Sequence, residues 1–507
     1  MFHENYLKNH FEPSLTSWGK IIEEEILSPS KHKINILSVD FDNPGKSASE
    51  IMWLYSLGWL TSYTLLESFD KKVVIKYLSD FLNGLENEKL SGIYRISSFD
   101  HCAASRIRYL CMIFSISKDN EEIKKLVIKI LDKEINWFSN LSNVAQNNHG
   151  MMLCISVFHA AIFLGKEKLE NELNNALTWL EDILENVIPE NGYVAENTIG
   201  YHDFYYKFIK NQLKFFDEFY KDVEIHDYLH ELFKDVELAL FKVVTPQGNI
   251  PPLGQCGFYP TKYKSIEGTH FFKEQGFLVK KDNENYFSYT CGSFSDVHKQ
   301  LDNTSIYLKL GNQEIFIDSG LGTYNEKEPR SAAINGQRGH TGAFFKALDN
   351  EHRHLFLTSK ELKDVNSSIE LLSNIIDSNY NFKFKDYTYS VSRKIIFESF
   401  YSFSIIDRFI SNNKNSFPVS RFILPFEVNL SIESNVIFIE YPVFILKMEV
   451  VSSFNYAFKS GNDNYEESNF SEYWRSLAFN HFEKCKAIEI YPLNDELKII
   501  ISIEKKS

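Results

Sequence analysis

Cysteine is sparse and never paired in this sequence. Six occur in 507 residues, Cys102, Cys111, Cys154, Cys256, Cys291 and Cys485, and none forms a Cys-x-x-Cys pair. That scatter excludes a disulfide framework and a cysteine-built zinc site, and reads as buried thiols. A basic run is also missing, and the formal net charge is -14. Wholesale nucleic-acid binding is therefore excluded, because nothing collects phosphates. A few converging cations still leave room for an anionic substrate. Long hydrophobic runs are absent too. The most apolar stretch, 51–66, is interrupted by Ser, Gly and Thr and is too short to span a bilayer. The polar start, Met1-Phe2-His3-Glu4-Asn5-Tyr6, lacks the apolar core of a leader. A cytoplasmic chain without a transmembrane segment is the expectation, although a chain already trimmed of its leader would read the same. No internal repeat is visible, and nothing in the sequence fixes an oligomeric state.

What is present is globular: 44% hydrophobic and 24% charged residues. The length is too great for one ordinary core and implies two domains. Aromatic residues reach 15%. Two readings of that figure stand, ordinary core packing or a cleft whose ring faces stack on sugars.

Apolar residues recur at three- and four-residue intervals through 51–69, 72–85, 102–116, 121–139, 150–164, 166–188, 201–220 and 227–243, which predicts successive helices. Asn-Gly at 83–84, Gly165 and Pro-Glu-Asn-Gly at 189–192 end them. Antiparallel helices with short loops suggest stacked hairpins, as in a toroid. Residues 245–262, rich in Pro and Gly, cannot be helix interior and mark a boundary. Beyond it the period becomes two. Segments 305–310 and 314–318 flank Gly311-Asn312, a hairpin signal, and 387–397, 401–410, 436–439, 443–451 and 497–503 follow. The expected organisation is a helical domain over 1–244, a linker over 245–262 and an antiparallel β-sandwich over 263–507, an α+β multidomain chain.

Four short segments carry the chemistry. Asn148-His149 opens a predicted helix, where Asn is also a good cap. An Asn amide beside an imidazole can hold an acidic group and relay a proton. Glu196 to His202 opens another helix. Tyr201 there either packs at i, i+4 or acts as base or acid once its neighbours shift it from about 10. His298 and Asp302 precede a strand, Asp318 ends the next, and His340 lies in a loop with Arg338. Such a His/Asp/His set suits either metal ligation or loops knitted by hydrogen bonds. Arg106, Arg108, Arg330 and Arg338 stand out because Arg is scarce. Each is either surface charge or a fork for carboxylate or sulfate.

In this order the segments resemble the heparinase II/III-like polysaccharide lyases, which include alginate- and heparin-type lyases. The likeness rests on Asn148-His149, Glu-x4-Tyr-His at 196–202 and Thr-Pro-Gln-Gly-Asn-Ile-Pro-Pro-Leu-Gly at 245–254. His-x3-Asp at 298–302, Asp-Ser-Gly at 318–320 with Tyr324, and His-Thr at 340–341 complete it. The resemblance implies an incomplete (α/α) toroid followed by an antiparallel β-sandwich. It also implies β-elimination beside a uronic acid in an acidic poly- or oligosaccharide, leaving an unsaturated uronate. Carried over, Asn148 and His149 neutralise the carboxylate, Tyr201 is the leading base or acid, and His149 shares the base role. His298 and Tyr324 are further catalytic candidates. Arg106, Glu196, His202 and Arg338 are candidates for substrate binding. Asp318 and His340 are the remaining candidates for a structural zinc, but Gln300 stands where the family often has a ligating His, which puts the metal in doubt. A non-catalytic glycan-binding or surface-polysaccharide assembly protein on the same fold is the alternative. A glycoside hydrolase would need two facing carboxylates, of which only Glu196 is a candidate.

Overall fold

The structure is a computed structural model that describes residues 6, 21–22, 25–28, 33–42, 48–66, 69–87, 99–117, 119–292, 294–295, 297–322, 328–349, 362–461, 473–479 and 481–506. They fall into two compact units. One comprises 1–187 with 207–233, the other 188–206 with 234–507.

Among its described residues the first unit is helical apart from three short strands, β1 (Ile21–Ile22), β2 (Glu25–Leu27) and β3 (Lys33–Asn35). Its helices are α1 (Ala48–Ser56), α2 (Gly58–Thr64), α3 (Lys71–Glu86), α4 (Phe99–Ile116), α5 (Glu121–Phe138), α6 (Asn148–Leu164) and α7 (Glu170–Val187). α8 (Ile199–Phe219) and α9 (Glu224–Val243) are divided between the two units. The starts are fixed by side chains. Asp70 accepts from the Lys72 amide, Asn120 from those of Glu122 and Ile123, and Asn147 from that of His149. α4 and α6 pack together and are buried on nearly every face. α3, α5 and α7 bury one face only. This inner and outer layering is the one an (α/α) arrangement requires. The single helix expected over 51–69 is instead two, because Leu57 adopts a left-handed conformation (φ 63°) that ends α1.

The second unit carries β4 (Gly268–Phe272), β5 (Phe277–Lys281), β6 (Tyr286–Thr290), β7 (Ser305–Leu310) and β8 (Gln313–Phe316) as one antiparallel meander. A short helix, α10 (Pro329–Asn335), precedes β9 (Ala343–Phe345). Then come β10 (Leu362–Leu372), β11 (Ile375–Phe384), β12 (Tyr387–Ser399), β13 (Ser402–Ser411), β14 (Pro418–Pro425), β15 (Asn429–Glu433), β16 (Val436–Glu440) and β17 (Phe444–Val450). β18 (Phe454–Ser460), β19 (Trp474–Ala478), β20 (His481–Pro492) and β21 (Glu496–Lys505) complete the chain. An eight-stranded antiparallel sheet runs β10-β11-β12-β13-β21-β17-β16-β15, and another runs β18-β20-β14-β9. Burial alternates along β11 and β12, as one apolar face per strand demands. Phe287, Leu308, Phe345, Ile395, Phe422, Ile488 and Ile499, drawn from all three sheets, share one core, so the sheets form an antiparallel sandwich. Inside it Arg393 grips Asp407 with two bonds of 2.7 Å and donates to the Thr304 carbonyl at 3.0 Å. Among the described residues no helix is long and apolar enough to cross a membrane.

Candidate active-site residues

In the helical unit the chemistry gathers at the first turns of α4 and α6. The cap of α6 is Asn147, not Asn148. The Asn148 amide is thereby released from capping and makes no hydrogen bond among the described residues. His149 Nδ1 lies 3.3 Å from Asp100 Oδ1, and its ring stacks on His101 with centroids 5.0 Å apart. Burial opposes ionisation of Asp100, but the hydrogen bond and charge of His149 together with backbone hydrogen bonds from His101 and Ala145 outweigh it and lower its pKa. His101 is pushed down to about 3, first by burial and then by the charges of His149 and Arg108. An ionised Asp100 orients His149, and a neutral His101 lies against its face. Gly150 makes the turn possible. A Cβ there would stand 1.9 Å from the Ala145 carbonyl oxygen and 2.9 Å from Ile183 Cδ1. Gly150→Ala should lower stability by about 1–3 kcal/mol through overpacking. It should also reduce activity beyond what the lost stability explains, because Asn148 and His149 shift with the turn. Thermal melting and kinetics on the folded fraction check this, and an unchanged melting temperature would contradict it.

In the second unit, the start of α8 meets the loop before β7. The Tyr201 ring stacks on His298 with centroids 3.7 Å apart and planes at 20°. His298 Nδ1 donates to Gln255 Oε1 at 2.7 Å, and its Nε2 lies 3.5 Å from Glu196 Oε2. Tyr205 donates to Glu196 Oε1 at 2.6 Å, and burial together with that carboxylate raises its own pKa far above the ordinary value. The loop is strained into place. His298 and Asn197 both take left-handed backbone (φ 53° and 55°), and Asn197 Nδ2 donates at 2.8 Å to the Ser295 and Val297 carbonyls. Gly254 (φ +61°) lets the 250–257 segment approach the Asn197 carbonyl, where a Cβ would come within 2.8 Å. The segment read as a linker thus delivers Gln255.

Several expected residues lie elsewhere. Arg106 is fully buried, donating to Glu134 at 2.9 and 2.7 Å and to the Tyr55 carbonyl at 2.7 Å, so it is a structural residue and not a substrate contact. His202 is also fully buried, and both ring nitrogens are used by backbone, Nδ1 accepting from Val194 N and Nε2 donating to Val236 O. It cannot contact substrate. Glu196 is 1% exposed, with Tyr205 donating to one carboxylate oxygen and His298 beside the other. Arg338 Nε lies 3.9 Å from Asp349, which the buried Arg421 also grips, so Arg338 joins that network over the sandwich. Tyr324 lies outside the described residues. Gln255, Asp100 and His101 escaped the sequence reading.

The zinc implied by the resemblance meets a poor donor set. His340 Nδ1 donates to Asp318 Oδ2 at 2.8 Å, and both are buried. Gln300 donates its amide to the Gly320 carbonyl and to Asn335 Oδ1. His340 Nε2 and Gln300 Oε1 are buried without a hydrogen-bond partner among the described residues, but one imidazole nitrogen and one amide oxygen beside a single carboxylate fall short of the four-ligand shell of structural zinc.

Burial also has a pH consequence. His202 is pushed down to about 4 by burial, against 6.5 ordinarily. Between those values the unfolded chain holds the proton and the folded chain does not, so stability rises with pH through this window and is lost on acidification. The slope from this one histidine approaches about 1.4 kcal/mol per pH unit. Urea unfolding midpoints should fall from pH 7 to pH 5, and equal midpoints would contradict the assignment.

Residues 267–490 match the family model for the heparinase II/III-like C-terminal domain. No curated protein sequence matches the chain significantly. Solved structures do share the fold. A heparinase III crystal structure superposes with a TM-score of 0.71 at 12% identity, covering 100% of this chain and 85% of that one. A second heparinase III gives 0.67 at 13%, covering 99% and 86%. The heparan sulfate lyase HepC of Pedobacter heparinus gives 0.61 at 14%, covering 98% and 83%.

Proposed function

We propose that this chain, heparinase II/III-like by its C-terminal domain, is a polysaccharide lyase that cleaves a glycosidic bond next to a uronic acid by β-elimination. The observation that carries the proposal is Tyr201 stacked on a His298 that Gln255 and Glu196 hold from both sides. A phenol fixed in this way suits proton transfer better than packing alone, since its support is itself polar and buried. The reaction needs three acts. The uronate carboxylate is neutralised, which Asn148 and His149 are equipped to do. The C5–H bond breaks, its proton passing to the base and its electron pair into the neutralised carboxylate as an enolate. That pair then returns to form C4=C5 as the C4–O bond breaks, the C4–O pair leaving on the oxygen, which takes a proton from the acid. Tyr201 is the leading proton-transfer group, with His149 able to share the base role. His298 is a positioning residue for Tyr201, with Glu196 and Gln255 behind it. A hydrolase needs two facing carboxylates, and the burial of Glu196 removes the one candidate.

The test is ultraviolet absorbance of the unsaturated uronate during incubation with uronate-containing glycans and their short oligomers. Absorbance should rise on at least one acidic glycan. Binding without any rise would replace this reading with a glycan-binding or assembly role.

A further inference from the structure

Away from these residues, α8 and α9 turn back on one another within the first unit and bring three donors to one point. Asp217 near the end of α8 presents Oδ1 to two imidazoles of α9, 2.9 Å from His226 Nε2 and 2.8 Å from His230 Nε2. His226 and His230 are four residues apart, so one helix face carries both rings, with centroids 4.6 Å apart. All three ligand atoms lie within 4.8 Å of one another. Asp227 stands behind the first ring, its Oδ1 2.8 Å from His226 Nδ1.

We propose that Asp217, His226 and His230 form a binding site for a divalent transition-metal ion of the zinc class, which staples the α8–α9 turn. Protonation logic supports it. Asp227 can only accept, so Nδ1 of His226 carries a proton toward it. Nε2, 2.9 Å from Asp217, faces the carboxylate either with a second proton or with a cation in that proton's place, and a metal binds here by displacing it. A carboxylate behind the distal ring nitrogen is the arrangement that fixes a ligating histidine's tautomer. Two imidazoles and a carboxylate select zinc, cobalt, nickel or copper over the oxygen-seeking calcium and magnesium. Surrounding charge points the same way: residues 217–231 hold six acidic side chains and one Lys. His226 is mostly covered, 13% exposed, while Asp217 at 51% and His230 at 38% leave an entry path and a coordination position for water.

The experiment uses the full chain without a histidine tag, stripped with chelator and titrated calorimetrically with Zn²⁺, then with Co²⁺ followed by visible absorption. We expect one ion per chain, a rise in melting temperature with Zn²⁺, and no comparable effect of Mg²⁺. His226→Gln and His230→Gln should each weaken binding at least tenfold, and Asp227→Asn by about tenfold or more. His230 and Asp227 are at a surface and His226 is partly covered, and circular dichroism checks that the variants fold. No stoichiometric ion, equal response to Mg²⁺, or binding unchanged in both histidine variants would overturn the proposal. Lyase activity is not the readout, so this result and that of the glycan assay stand apart.

Discussion

Tyr201→Phe should reduce kcat by at least about a hundredfold while leaving KM within about threefold. The substitution removes one oxygen and nothing else. The ring that rests on His298 at 3.7 Å remains, and so does the stack that positions the loop. Fold and sugar contact should therefore survive, as melting temperature and glycan affinity would report. A positioned acid or base contributes about 10²–10⁴-fold, and a group that acts only in the transition state lowers kcat and kcat/KM together. His298→Ala provides the contrast. It keeps the phenol but removes its platform, so a smaller fall in kcat with a displaced pH profile is expected, and His298→Gln should not restore the stack. Retention of kcat within about threefold in Tyr201→Phe would remove this residue from proton transfer. His149, oriented by Asp100, would then be the base to examine next.

The helices were legible because one physical signal, apolar spacing, is repeated over many residues. α3, α5 and α9 lie within a few residues of their expected bounds. The break at Leu57 was not legible, since nothing in the Trp-Leu-Tyr-Ser-Leu-Gly-Trp run requires a left-handed residue there. In the sandwich, β7 and β8 announced themselves through their Gly-Asn turn. β5 and β6, with interiors buried on both faces, offer little alternation. Motif residues divide along the same line. Sequence can mark which residues belong to a set, but not which way each faces. Asn148 and Tyr201 looked like ordinary cap and packing residues, and only the cap at Asn147 and the stack on His298 separate them from that role. Gln255 was hidden because its partner His298 is 43 residues away and its own segment shows only Pro and Gly.

The two arginines of α4 show the same limit in a form that can be measured. Arg106 and Arg108 are two residues apart, so they leave the helix on different faces, and composition gives no reason to prefer either. The structure separates them. Arg106 is sealed against Glu134 with both groups fully buried. Arg108 is half-buried, holds its guanidinium 5.4 Å from the Phe208 ring centre and presses electrostatically on His101. Arg106→Ala should strand the Glu134 carboxylate in the helical core and cost about 3–5 kcal/mol. The variant should melt far below the parent or fail to fold. Replacing both partners, Arg106→Met with Glu134→Leu, should recover most of the loss, because the cost lies in the unpaired charge rather than in the missing pair. Arg108→Ala should instead fold normally and raise KM several-fold, as expected of a cation near the first turns that carry Asp100 and His149. If the double variant folds and shows the same raised KM with normal stability, Arg106 belongs to substrate recognition after all. If Arg108→Ala alone destabilises the chain with KM unchanged, the two roles are reversed.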